Sequence, residues 1–165
     1  MRRYRGVCGQ VWSVPGAGWA SSAPSALSVA RAEAERLVST GVRVGARLPA
    51  HCSATGKVLL AGLSPAEVAA LLAAPGRSRR TQHTTVDAER IAESVRRAAA
   101  DGFATSDEEL ELGMRALAVP VLDGRGRTVA AMSVSTSTAR VSASELRDRF
   151  RPILAEHATL LGRNL

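Results

Sequence analysis

The tetrapeptide Asp123-Gly124-Arg125-Gly126 separates two apolar runs, Ala116–Leu122 and Thr128–Ser135. Glycine adopts positive φ at little cost and Asp bonds to nearby backbone N–H groups, so this spacing predicts a tight β-hairpin. A hairpin makes its two strands antiparallel neighbours. The sheet expected here is therefore antiparallel, and the rest of the chain must pack around it.

Helical signals flank that hairpin. Ser64-Pro65-Ala66-Glu67 is a capping box with proline at the first helical position, and its helix runs through Val68, Leu71 and Leu72 until Pro75-Gly76. Asp87 caps a second helix with Ile91, Val95, Ala98 and Ala99 on one face and Gly102 as its stop. Ser142-Ala143-Ser144-Glu145 opens a third, whose apolar positions are Leu146, Phe150, Ile153, Leu154, Leu160 and Leu161. Pro152 inside it predicts a kink or a split. Short strands are expected at Leu27–Arg31, Leu37–Val44 and Phe103–Ser106, with an acidic turn at Asp107, Glu108, Glu109 and Glu111 that is either solvated throughout or has one member lining a pocket. Helices on an antiparallel sheet make an α+β fold. A chain of 165 residues supplies one domain.

Residues 1–27 differ in character. They hold both tryptophans, the sole tyrosine and no acid, with Arg2, Arg3 and Arg5 at the start. Gly9, Gln10, Ser13, Pro15 and Gly16 interrupt any apolar stretch that a secretory signal would need. The segment reads as an irregular leader, with at best a short strand at Val11–Val14. No run of ~18 apolar residues exists to make a membrane-spanning helix.

The formal net charge is +7, and Lys57 is the single lysine among 22 basic residues. The arginines are scattered among 15 acids, without a helix-turn-helix, zinc finger or basic helix to focus them. DNA binding by this chain is not supported. Arg43 and Arg47 are better placed to favour an anionic ligand. Cys8 and Cys52 fit no zinc spacing and suit reduced thiols in a cytosolic protein.

Two places carry candidate chemistry. Small residues from Pro49 to Gly56 open a helix that continues through Val58, Leu59 and Leu60, and unpaired N–H groups at such a start attract anions. The run Ser53-Ala54-Thr55-Gly56-Lys57 is not a phosphate loop, because Cys52 and Val58 stand where glycine and Ser/Thr are required. Ser133 and Ser135 alternate with Met132 and Val134, so both hydroxyls share one face. Facing the core, they would need partners, which a polar ligand could supply. A cysteine or serine hydrolase using Cys52 or Ser133 is the rival class. The base would be His83 or His157, although His157 borders the apolar stripe of the last helix.

The stretch Ser39–Ala61, with its Arg47-Leu48-Pro49-Ala50-His51-Cys52-Ser53 core, resembles the signature of the effector-binding domain of IclR-type transcriptional regulators. Thr81–Thr85, Gly102–Arg115 and Ala116–Ser135 agree with it in order and spacing. The wording leans toward the Pca/Pob-type branch, which governs the catabolism of aromatic acids. The resemblance covers roughly residues 28–165 and implies a GAF-like domain, not an enzyme. It would be cytoplasmic and oligomeric, and would bind a small carboxylate such as protocatechuate, 4-hydroxybenzoate or β-ketoadipate without a cofactor or metal. Family contacts carry over to the backbone N–H groups of Ala54 and Thr55, to Ser106 or Asp107, to Met114 and Ala116, and to Ser133 and Ser135. Some relatives place Cys where this chain has Ala116. Family members also carry an N-terminal winged helix-turn-helix and early sensor strands, which residues 1–27 do not resemble. The expectation is a truncated sensor lacking its first strands and DNA-binding domain, acting through full-length relatives, or else a gene fragment without function.

Overall fold

The computed structural model describes residues 8–13, 25–33 and 44–165. Strands β1 (Cys8–Ser13), β2 (Ser25–Glu33), β3 (Arg47–Pro49), β4 (Ala104–Asp107), β5 (Met114–Leu122) and β6 (Thr128–Ser137) form one sheet in the order β3-β2-β1-β6-β5-β4. Every pairing is antiparallel. The β5–β6 hairpin closes as expected: Asp123 N–H donates to Arg127 O, and the Asp123 carboxylate accepts from the N–H groups of Arg125 and Arg127 at 2.9 Å each. Those bonds hold the Asp123 carboxyl below its ordinary range.

Alternation along β5 and β6 divides the core. Leu117, Val119, Val121, Ala130 and Val134 pack beneath Leu146, Phe150, Leu154 and Ala158 of the C-terminal helices. The opposite face offers small side chains, Ala104, Ala118 and Ala131, together with Ala26. Helix α1 (Ala54–Ala61) lies on that face, with Ala54, Val58 and Leu59 against the alanines. Its outer side, through Leu60, meets Val68 and Leu72 of α2 (Pro65–Ala73) and Ile91 and Val95 of α3 (Ala88–Asp101). Covered on both sides, α1 buries every residue from Ala54 to Leu60. Gly56 makes the close passage possible: a Cβ there would lie 2.7 Å from Ala50 C and nearer still to its Cα and O.

The caps fall where local chemistry places them. Ser64 and Glu67 form the reciprocal capping box, Asp87 accepts from Arg90 N–H, and Gly102 ends α3 with φ of +70°. Ala99 is nevertheless exposed. Pro152 divides the last helix. A short α4 (Ala143–Glu145) widens into a π turn over Leu146–Phe150 before α5 (Arg151–Gly162) resumes. Proline lacks the N–H that would continue the preceding ladder, and a wider turn absorbs the mismatch. On α5 Leu160 is exposed and Gly162 buried, because Gly162 passes against Leu122 O where a side chain would collide. His157 is exposed too, not packed on the stripe.

The irregular leader is corrected at Cys8–Ser13. These residues form β1, paired on one side with β2 and on the other with β6. The edge of β6 that absent first strands would leave open is therefore occupied. Strand β2 begins at Ser25 and runs across the expected boundary between residues 27 and 28. Of the strand expected at Leu37–Val44, only Val44 lies inside the described residues, where it is an exposed turn residue. Arg43 also lies outside them.

Candidate functional site

Four residues after Pro49, the chain enters α1 through a fully buried approach: Ala50, His51, Cys52 and Ser53. The Ser53 hydroxyl caps the helix by accepting from Gly56 N–H and itself donates to Pro49 O at 2.8 Å. Lys57 N–H donates to Ser53 O. Helix geometry leaves the Ala54 and Thr55 N–H groups without an intrahelical acceptor, at the positive end of the helix dipole and inside the protein. A carboxylate satisfies that arrangement.

The sheet supplies the opposite wall. Register places Ser106 on β4 beside Ala116 on β5, and Ala116 beside Ser135 on β6. One rung further, Ala104, Ala118 and Ser133 align in the same way. Ser106 and Ser133 are buried, and Ser135 is half-buried. The alanines of these rungs pack against α1, so the serines project into the layer where α1 begins. The Ser106 hydroxyl donates to Cys52 O at 2.8 Å and joins the two walls directly. Met114, two residues before Ala116, extends the same face.

Asp107 does not join this group. Alternation along β4 turns it to the other side, where Arg115 clamps its carboxylate with two bonds of 3.0 Å. Arg47 is exposed at the β3 edge, donating to Ser25 Oγ at 3.4 Å.

The acidic turn is not solvated at Glu109. Its side chain is 14% exposed and pairs with Lys57 Nζ, which also donates to Thr105 O at 3.2 Å. A lysine in the first turn of a buried helix must find a counter-charge, and Glu109 is within reach. Thr84 and Thr81 hydroxyls hold the turn by donating to Glu109 O and Glu108 O, each at 2.6 Å. A charged groove of about 460 Å³ runs along α3, lined by Lys57 and Glu109 themselves together with Arg90, Glu93 and Arg97 among others. It contains none of the expected site residues.

The hydrolase reading loses Cys52 as its nucleophile. Cys52 is fully buried, and burial, followed by the nearby charge of Glu109, pushes its thiol up to about 11. The His51 ring meets Ser78 O through Nε2 at 3.1 Å rather than the thiol. Burial also holds the His51 pKa below its ordinary value. Among the described residues no group of three or more His, Cys, Asp or Glu side chains could hold a metal ion, and no helix is long and apolar enough to cross a membrane.

Fold and site together define an α+β domain whose buried helix start faces a wall of small and hydroxyl side chains. Residues 21–163 match the family model of the bacterial transcriptional regulator IclR C-terminal domain, and the chain belongs to that family. The Pca regulon regulatory protein of Pseudomonas putida is 41% identical over 129 residues, covering 78% of this chain and 44% of that protein. The p-hydroxybenzoate hydroxylase transcriptional activator of Acinetobacter baylyi is 38% identical over 130 residues, covering 79% and 48%. The chain thus spans about half the length of the curated relatives it matches. A crystal structure of a double mutant of the PobR transcription factor inducer binding domain from Acinetobacter, in complex with 3-hydroxybenzoic acid, agrees with a TM-score of 0.85 at 30% identity. That match covers 96% of this chain and 89% of the other. These relatives are transcriptional regulators, not enzymes.

Proposed function

We propose that this chain is the sensing part of a cytoplasmic transcriptional regulator, working within an oligomer, that responds to a small aromatic carboxylic acid. The observation that carries this reading is the buried start of α1 facing the Ser106–Ala116–Ser135 rung, joined to it by the Ser106–Cys52 bond. The Ala54 and Thr55 N–H groups receive the carboxylate. Ala116 leaves room for a ring, Met114 bounds it, and Ser106, Ser133 and Ser135 offer hydroxyls. Asp107, engaged by Arg115, is left out of the contact set.

Regulation follows from differential binding. An acid that favours one arrangement of the sheet and α1 shifts the population toward it, and a DNA-reading partner domain responds. The names of the relatives support an aromatic acid of the hydroxybenzoate and protocatechuate kind. Isothermal titration calorimetry with 3-hydroxybenzoate, 4-hydroxybenzoate, protocatechuate and β-ketoadipate tests this. Saturable binding of an aromatic acid is expected, and absence of heat and of thermal stabilisation with all four overturns it.

A further inference from the structure

Among the described residues, four buried side-chain atoms have no hydrogen-bond partner: Ser28 Oγ, His51 Nδ1, Glu109 Oε2 and Thr136 Oγ1. Each forgoes the hydrogen bonds it would make in water, so each position asks what it is kept for. Thr136 follows Val134 on the face covered by the C-terminal helices. Glu109 is held through its other oxygen by Lys57, and His51 through its other nitrogen by Ser78. Ser28 and Thr136 each have their only side-chain polar atom unpartnered, but Thr136 faces the C-terminal helices, and of the two only Ser28 lies on the sheet face that α1 covers.

Its position is specific. Ala26 packs against α1, and Ser28, two residues further along β2, shares that face. Trp12 of β1 is opposite Ser28 on one side and Ala131 of β6 on the other, so Ser28 and Ala131 occupy one rung, roughly 10 Å apart at ordinary strand spacing. The next rung holds Ser133. Ser28 is 1% exposed, so its hydroxyl points into the closed layer between sheet and α1, beyond the hydroxyls already assigned to the acid. Backbone bonds to Ala46 O and from Gly45 N–H fix the residue in place without using Oγ.

We infer that the Ser28 hydroxyl is the hydrogen-bond partner of a ring hydroxyl on the bound acid, and so selects hydroxylated aromatic acids over bare ones. This rests on the aromatic-acid reading above. A hydroxyl left unsatisfied in the empty protein becomes satisfied only by a ligand carrying a matching group. An acid lacking that group leaves both the hydroxyl and the pocket unchanged, and loses the bond.

The test compares benzoate, 3-hydroxybenzoate and 4-hydroxybenzoate by calorimetry on the wild-type chain and on Ser28→Ala. The wild type should bind at least one hydroxybenzoate about tenfold more tightly than benzoate, the ratio expected of one buried hydrogen bond. In Ser28→Ala that ratio should fall to within about threefold of unity, with benzoate affinity unchanged. Because the hydroxyl has no internal partner, the variant should fold with a midpoint temperature equal to or above that of the wild type. A preference that persists in Ser28→Ala overturns the inference, as does a wild type that binds all three acids equally. A wild type that binds none of them overturns the aromatic-acid reading itself, which separates the two failures.

Discussion

Ser106 Oγ donates to Cys52 O at 2.8 Å, and one residue later Ser53 Oγ donates to Pro49 O at the same distance. Strands β3 and β4 are the two edges of the sheet, so the approach to α1 ties both edges to one short loop. The start of α1 is positioned by the whole sheet rather than by its own cap alone. This gives Ser106 a double role, as wall of the site and as the bond that sets where the helix begins.

Ser106→Ala removes the donor and leaves a buried carbonyl unmatched. A loss of about 1–3 kcal/mol in unfolding free energy is expected, read from urea denaturation. Acid affinity should fall as well, since the Ala54 and Thr55 N–H groups lose their register with the sheet. Unchanged stability and unchanged binding together would show that the bond is incidental.

Gly56→Ala sets two effects against each other. Alanine in place of glycine favours a helix by about 1 kcal/mol, but here its Cβ would overlap Ala50, and that atom is backbone. Overpacking of this kind costs about 1–3 kcal/mol or more, so the collision wins and the midpoint temperature should drop. A stabilised variant would mean that α1 does not pass so close to Ala50.

Local signals were legible in the sequence, and distant ones were not. Ser64, Asp87, Gly102 and Asp123 act on residues within a few positions, so their caps and turn could be read directly. Strand β1 was legible only in its second half, where a short strand at Val11–Val14 overlaps it. Its ladder is supplied by Leu27–Glu33 and Ala130–Ser135, and Gly9 and Gln10 break the apolar pattern that would announce the rest of it. At the site, Ala54, Ser106, Ala116 and Ser133 fall together because strand alternation and a helix start are local features. The Lys57–Glu109 pair spans 52 positions and went unread. Its one available signal was a lone lysine inside an apolar helix. The family resemblance offers Ser106 or Asp107 for one contact, and strand alternation separates the two.

The two perturbed groups before α1 predict opposite pH effects. The Cys52 thiol is raised from 9.0 to about 11. Its neutral form is favoured by folding, so its contribution is full below pH 9 and is lost as pH rises toward 11. The His51 pKa is lowered from 6.5, so its contribution is present above pH 6.5 and is lost as pH falls through the folded value. Stability measured against pH should fall on both sides, and His51→Gln should flatten the acid limb alone. Native iodoacetamide labelling at pH 8, mapped by mass spectrometry, should leave Cys52 unmodified until denaturant is added. Rapid native modification of Cys52 would contradict its burial.

The Lys57–Glu109 pair offers the sharpest test of how the site is held. Both side chains are largely buried, 8% and 14% exposed, so neither charge is dispensable once the other is present. Lys57→Met would leave a buried carboxylate without its counter-charge, at a cost of about 3–5 kcal/mol. Replacing both, as Lys57→Met with Glu109→Leu, removes the desolvated charges together and should recover much of that loss. The coupling energy from the double-mutant cycle should therefore be large, on the order of 2 kcal/mol or more. Because Lys57 lies in the first turn of α1 and Glu109 in the turn after β4, the cycle also reports on the site. If the pair holds the helix start against the sheet, acid affinity in the double variant should remain below wild type even where stability is restored. Full recovery of both would assign the pair to stability alone.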